Sequence, residues 1–265
     1  MSERSEPGGV GGLDDTGAPV PVPERVRRVV SIVPSLTESV AETAPGLLVG
    51  ATDWCTHPAG LDVPRVRGTK NPDVERIIGL RPDVVLGNTE ENRPADVEAL
   101  RAAGVPVWMT EIRTVDEALK SLRRMLTEAC RVPVPAWLEE ASRAWADAAP
   151  GTPRAAVVPI WRRPWMVVGR DTFTGDVLSR LGVANVYAGH PERYPKIPLR
   201  ELNAAGADLV VLPDEPYLFT VDDGPEAFPG HDIALVSGRY LTWYGPSLVQ
   251  APAALREALA AARPY

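Results

Sequence analysis

The sequence predicts an α/β protein of two Rossmann-like lobes with parallel-type sheets, joined by one long connecting helix. The first observation is an internal repeat. Asp73 to Asn88 (DVERIIGLRPDVVLGN) and Leu199 to Asp214 (LRELNAAGADLVVLPD) share one pattern about half a chain apart. Each reads as a short helix with a glutamate near its start (Glu75, Glu201), a Pro or Gly break, an aspartate, and a buried apolar strand. Such a unit in both halves argues for two similar lobes, and clefts between lobes are where small molecules bind. The second observation is that strands alternate with helices in each half, which implies parallel sheets. The third is a run of apolar residues at helical spacing, Ala118, Leu119, Leu122, Met125, Leu126 and Ala129, resumed by Trp137, Leu138, Ala141, Trp145 and Ala148 after a Pro-rich interruption. At 1.5 Å per residue this segment is long enough to cross a small domain.

Taken in order, residues 1–24 lack apolar periodicity and are expected to be a disordered tail. The N-terminal lobe follows over 25–114. It opens with a strand at Arg28–Val33 and a helix N-capped by Ser35, with Glu38 at the capping-box position. Strands at Leu47–Ala51, Val84–Leu86 and Val105–Met109 continue it, with a helix over Ala95–Ala103. The connecting helix is assigned to 115–150 and the C-terminal lobe to 151–265. That lobe carries strands at Ala155–Ile160, Trp165–Val168, Leu209–Leu212 and Ile233–Leu235, with helices at Thr174–Leu181, Leu199–Ala205 and Ser247–Ala262.

Bulk properties narrow the function classes. With 265 residues the chain can bury a sizeable core without disulfide staples. No run of about 18 apolar residues is present, so an integral membrane protein is not expected. The formal charge is −7, of which −4 lies in residues 1–24, leaving −3 for the remainder. A nearly balanced body with no basic stripe lacks the electrostatic footprint of a nucleic-acid binder. The first 24 residues carry no signal-peptide pattern, so the chain as written is expected in the cytoplasm, and outside it if the start is misassigned. In that setting Cys55 and Cys130 are expected as reduced thiols.

Catalytic signatures are missing: there is no P-loop, no G-x-G-x-x-G after a strand, no G-x-S-x-G elbow and no H-E-x-x-H. Cys55 and His57, two residues apart, leave open a thiol nucleophile or a metal pair, against the plainer alternative of a half-buried Cys and a loop His. The aromatic content is more informative. Seven Trp against three Phe is an inverted ratio, and Trp suits large planar ligands. Trp108, Trp137 and Trp145 sit within elements and are read as core. Trp54, Trp161, Trp165 and Trp243 fall at strand ends or in loops, where binding residues of α/β scaffolds concentrate. Lys70, in the loop Gly68–Pro72, and Arg170, with Arg162 and Arg163 nearby in sequence, suit carboxylate, phosphate or amide groups on a ligand.

Four segments carry a resemblance: RVVSIVPSLTE (Arg28–Glu38), VGATDWCTHP (Val49–Pro58), VERIIGLRPDVVL (Val74–Leu86) and WYGP (Trp243–Pro246). In this order and spacing they resemble the periplasmic-binding-protein family that captures cobalamin, ferric siderophores and haem for import. The resemblance implies two α/β lobes rigidly joined by a long helix and a non-enzymatic role requiring no resident cofactor. It also implies a cobalamin-like corrinoid or ferric chelate as ligand. It places Trp54 where cobalamin-binding members have an aromatic, Thr69 and Lys70 in the next cleft loop, and Trp161, Tyr194 and Trp243 near cleft positions of the second lobe. Glu75 and Glu201 match the glutamates, one per lobe, that dock such proteins onto an ABC permease. The departure is the missing export signal, which implies a misassigned start or an intracellular relative. The alternative is a cytosolic enzyme using Cys55 and His57 on a bound cofactor.

Overall fold

A computed structural model describes residues 11–265. The chain divides into two compact units: the first ends at Glu111 and resumes over Leu119–Leu138, and the second comprises Ile112–Ala118 and Glu139–Tyr265.

The first unit begins with strands β1 (Gly12–Leu13) and β2 (Pro19–Val20), paired antiparallel. Next come β3 (Val29–Ser31), α1 (Pro34–Thr43), β4 (Leu48–Ala51), the two-residue strands β5 (Arg67–Gly68) and β6 (Asn71–Pro72), α2 (Val74–Gly79), β7 (Val84–Asn88), α3 (Pro94–Ala102) and β8 (Val107–Thr110). Its main sheet has the order β4-β3-β7-β8, all parallel. Val30, Ile32, Ile77, Val85, Leu100 and Met109 fill the core between sheet and helices. Each such side chain contributes roughly 1.5–3 kcal/mol on full burial.

In the second unit, β9 (Arg154–Val157), β10 (Pro159–Trp161), β11 (Met166–Val167), α6 (Phe173–Arg180), β12 (Val183–Asn185), α7 (Leu199–Asn203), β13 (Leu209–Pro213), β14 (Asp232–Val236), α8 (Gly238–Thr242), α9 (Ala251–Ala260) and β15 (Arg263–Pro264) follow two further helices described below. The sheet order is β12-β9-β13-β14-β15, parallel except for the terminal β15, and β10 pairs with β11 as a separate hairpin. Val157, Val167, Leu202, Val210, Leu212, Phe219 and Phe228 form its core.

The repeat read from sequence is present as α2–β7 and α7–β13, and its aspartate has the same task in both. The Asp83 carboxylate accepts the N–H groups of Arg27 and Arg28 at 2.7 and 2.9 Å, while the Asp83 N–H donates to the Arg28 carbonyl at 2.8 Å. Asp208 accepts from the Ala155 N–H at 3.1 Å and donates its own N–H to the Ala155 carbonyl at 3.1 Å. Each aspartate thus joins the start of its own strand to the start of the neighbouring one. These backbone groups would otherwise lack protein partners where the strands begin.

Three expectations are corrected. The tail is ordered from residue 11 onward; residues 1–10 lie outside the described residues. Asp14 is buried, accepting from the Thr16 and Ala18 N–H groups at 2.9 and 3.0 Å, and its second oxygen meets Arg101 at 3.1 Å. Asp15 donates its N–H to the Met109 carbonyl at 3.1 Å, and its carboxylate takes the Glu111 N–H at 3.1 Å and Arg124 at 2.8 Å. Two acids that read as solvated charge instead bind the segment along β8, an edge strand whose backbone groups need cover. The long connecting helix is two helices. α4 (Val115–Arg124), extended by a π turn over Met125–Ala129, is separated from α5 (Ala136–Ala146) where Arg131 turns left-handed (φ 56°) and Pro133 and Pro135 withhold N–H donors. The division between the units falls within both helices, so 115–150 does not stand apart from the lobes as a separate segment. Finally, α1 starts at Pro34, with Val33 as N-cap and no side-chain cap; proline's preset φ suits the first helical position, and the expected capping box does not form.

Candidate functional site

In the first unit, Trp54 is the most exposed large apolar side chain, 66% accessible. It stands in the loop after β4, tied down by the Asp53 N–H donating to the Arg67 carbonyl at 2.9 Å. The β5–β6 turn lies against it: a Cβ at Gly68 would come within 3.3 Å of the Trp54 Nε1 and 2.5 Å of the Asn71 Oδ1, so a larger residue would have to displace the Asn71 side chain. Next to it, Arg67 is exposed and holds φ 65°. Left-handed backbone in a non-glycine residue is uncommon and clusters at functional loops. Sequence reasoning passed over Arg67 because nothing in its residue type signals this conformation.

Thr69 is half-buried, and its carbonyl accepts from the Asn92 Nδ2 at 3.0 Å. The same Nδ2 reaches the Ile32 carbonyl at 3.2 Å, and the Asn92 Oδ1 takes the Asn88 N–H at 2.8 Å. Asn88 in turn donates to the Thr110 carbonyl and hydroxyl at 3.1 and 3.0 Å. These asparagines lock the loop to the ends of β3, β7 and β8. The Lys70 ammonium donates to the Glu90 carbonyl and is otherwise exposed.

Cys55 is 1% accessible, with its Sγ 3.0 Å from the Thr37 hydroxyl and 3.1 Å from that of Thr52. Burial pushes its thiol up, only partly offset by those hydroxyls and by Arg65. A nucleophilic cysteine needs the opposite shift. His57 is half-buried, its Nδ1 3.1 Å from the neighbouring Thr56 hydroxyl. Cys130 is buried and its thiol is pushed up to about 12; both cysteines are free.

In the second unit, Trp161 at the end of β10 is 43% accessible. It meets the Tyr217 ring edge-on, 5.6 Å between centroids. Arg162, expected to reach a ligand, is occupied instead: it pairs with Asp223, and with Glu226 at 2.5 Å. Arg163 is exposed with φ 64°, the counterpart of Arg67. Trp165 is half-buried and stacks on Phe219 at 6.0 Å. Trp243 is buried, its Nε1 donating to the Glu215 carboxylate at 3.2 Å, and offers little ring surface. Its Trp-Tyr-Gly-Pro context reads as a loop, but it closes α8 against the core. Tyr194 is half-buried with the Arg193 guanidinium 5.9 Å from its ring. Arg170 pairs with Asp171 at 3.5 Å and lines a 520 Å³ depression with Arg113, Glu117, Thr172, Asp176 and Asn185; none of the other expected site residues lines it. Glu75 and Glu201 are both exposed in the first turns of α2 and α7, where the helix dipole favours an acid.

Residues 29–223 match the family described as periplasmic binding proteins. The vitamin B12-binding protein of Pectobacterium carotovorum subsp. carotovorum (strain PC1) is 22% identical over 205 residues, 72% of each chain. A periplasmic heme-binding protein from Pseudomonas aeruginosa is 25% identical at a TM-score of 0.70, covering 91% of this chain and 95% of its own. The periplasmic vitamin B12-binding protein BtuF of Vibrio cholerae shares the fold at a TM-score of 0.69 and 16% identity, covering 89% of this chain and 97% of its own.

Proposed function

The chain belongs to the periplasmic binding protein family, and on that premise we propose that it is a non-enzymatic receptor for a large metal-containing ligand. The ligand class is a cobalamin-like corrinoid or a ferric chelate, captured without a resident cofactor and delivered to an ABC-type permease. The observation that carries this reading is the exposed tryptophan in each unit, Trp54 and Trp161, each presented from a strand end beside an exposed left-handed arginine. An exposed indole offers a large flat apolar face with a donor edge, which fits a planar macrocycle. The cations Arg67, Lys70 and Arg163 complement carboxylate or amide substituents at its rim. The names of the relatives, for vitamin B12 and heme, favour the same class. Their periplasmic setting favours an extracytoplasmic site of action over a cytoplasmic one. Glu75 and Glu201 supply the acidic docking points for basic residues of the permease.

Visible-absorption titration of the purified protein with cobalamin, haemin and a ferric hydroxamate siderophore tests this. Saturation by one of them at one equivalent per chain is expected. Failure of all three to bind contradicts the reading.

A further inference from the structure

The aromatic surface of the second unit rests on a polar frame. The Tyr217 ring lies against Phe219 at 4.7 Å, behind its edge-on contact with Trp161. The Tyr217 hydroxyl donates to one oxygen of Asp223 at 2.6 Å, and the other oxygen of Asp223 is paired with Arg162. Arg162, only 15% accessible in its side chain, divides its guanidinium between Asp223 and Glu226, and lies 5.5 Å from the Trp165 ring. Glu226 is fixed from behind by the Gly224 N–H at 2.6 Å. Arg162 is the covered member of this row, and its two carboxylate partners remain partly accessible at 43% and 38%.

The charges decide what Tyr217 can do. Arg162 carries one positive charge against two carboxylates, so the frame is net negative and opposes a further anion at the phenol oxygen. The bond to Asp223 raises the phenol, and Arg162 and exposed Arg163 oppose it by favouring the phenolate, but by less. A phenol coordinates ferric iron as phenolate, and here its proton is held by a carboxylate.

We propose that Arg162, through Asp223 and Glu226, is a positioning residue that fixes Tyr217 as a hydrogen-bond donor beneath Trp161. This surface then receives the apolar face of a ligand and supplies no phenolate to its metal. This rests on the ligand-binding reading above and sharpens it. The second unit is built for a metal whose coordination from this side is already complete, as in a corrinoid with its own axial ligands or a saturated ferric chelate.

The test uses the full chain carrying Arg162→Met, Asp223→Asn or Tyr217→Phe, each with and without Trp161→Phe. In ligand-free protein, the Trp161 share of the fluorescence, taken as the difference from the Trp161→Phe partner, is expected to become more accessible to acrylamide in Arg162→Met and Asp223→Asn. Arg162→Lys is expected to restore part of the protection. An unchanged Trp161 in both variants overturns the positioning role, whether or not any ligand has been found. Asp223→Asn keeps the side-chain volume and decides the matter if Arg162→Met does not fold. With the bound ligand, Arg162→Met is expected to weaken affinity tenfold or more. Tyr217→Phe is expected to weaken it two- to fivefold while leaving the metal's absorption bands in place. Displaced bands in Tyr217→Phe would identify the phenol as a metal ligand and overturn the proposal. Absence of binding by wild type to cobalamin, haemin and ferric siderophore removes the functional reading, and the ligand-free measurement still decides the role of Arg162.

Discussion

Single residues here are decided by whether their polar groups are directed inward or outward. Cys55 is the clearest case: burial favours its neutral thiol and outweighs the opposing bonds from two threonine hydroxyls. Alkylation of Cys55 at neutral pH is therefore expected to proceed no faster than the site opens, orders of magnitude below a free thiol. Rapid modification of the folded protein would reinstate the thiol-enzyme alternative. Gly224 is the second case, with φ 125° and a hypothetical Cβ 2.6 Å from the Phe219 ring. Gly224→Ala is expected to cost about 1–3 kcal/mol in chemical denaturation, from strain and overpacking together. Loss below that range would show that the 214–228 loop gives way easily. The exposure of Trp54 and Trp161 was legible from sequence because strand ends of α/β units expose their side chains. The burial of Trp243 and the ion pairing of Arg162 were not, since their partners Glu215, Asp223 and Glu226 lie 28 to 64 residues away, across turns that no local pattern encodes.

At the scale of elements, the repeated helix–strand unit was legible because its apolar strand and its break have local causes. The role of its aspartate was not, because it acts across the sheet. Asp83→Ala and Asp208→Ala are each expected to destabilise by about 1–3 kcal/mol, since each leaves neighbouring strand amides unpaired. Equal stability to wild type in equilibrium unfolding would mean that water replaces these bonds freely. The 11–24 strap was missed for a related reason: acids in a Gly- and Pro-rich segment imply solvation unless buried partners such as Arg101 and the β8 amides are known. The Tyr217–Asp223–Arg162–Glu226 frame carries a pH signature. Glu226 is opposed by its burial, but the Gly224 amide and Arg162 hold it below its ordinary 4.5, so its contribution is present above that value and lost as pH falls through the folded one. Tyr217 is raised above its ordinary 10.0 by its bond to Asp223, so its contribution is present below that value and lost as pH climbs through the folded one. Trp161 fluorescence is expected to stay constant across the neutral range and to change only on the acid side of the first value and the alkaline side of the second. A transition near pH 7 contradicts this assignment.

The whole molecule combines two α/β units whose order of elements was readable from alternation and repeat. Their division was not, because it falls inside α4 and α5, where helical periodicity continues without a mark. Among the described residues no helix is long and apolar enough to cross a membrane. In the function proposed above, Glu75 and Glu201 are the groups that meet the permease. Replacing both by arginine is expected to abolish ligand-dependent transport in a reconstituted permease assay and to leave solution affinity within twofold. Loss of affinity itself would place the glutamates in the ligand site instead.

The most direct test of the central claim, that the exposed aromatic faces are the ligand-binding surface, is calorimetric titration of wild type, Trp54→Ala and Trp161→Ala with whichever of cobalamin, haemin or ferric siderophore saturates the protein. Each variant is expected to keep the wild-type melting temperature and to bind at least tenfold more weakly. Wild-type affinity in both variants would contradict the account.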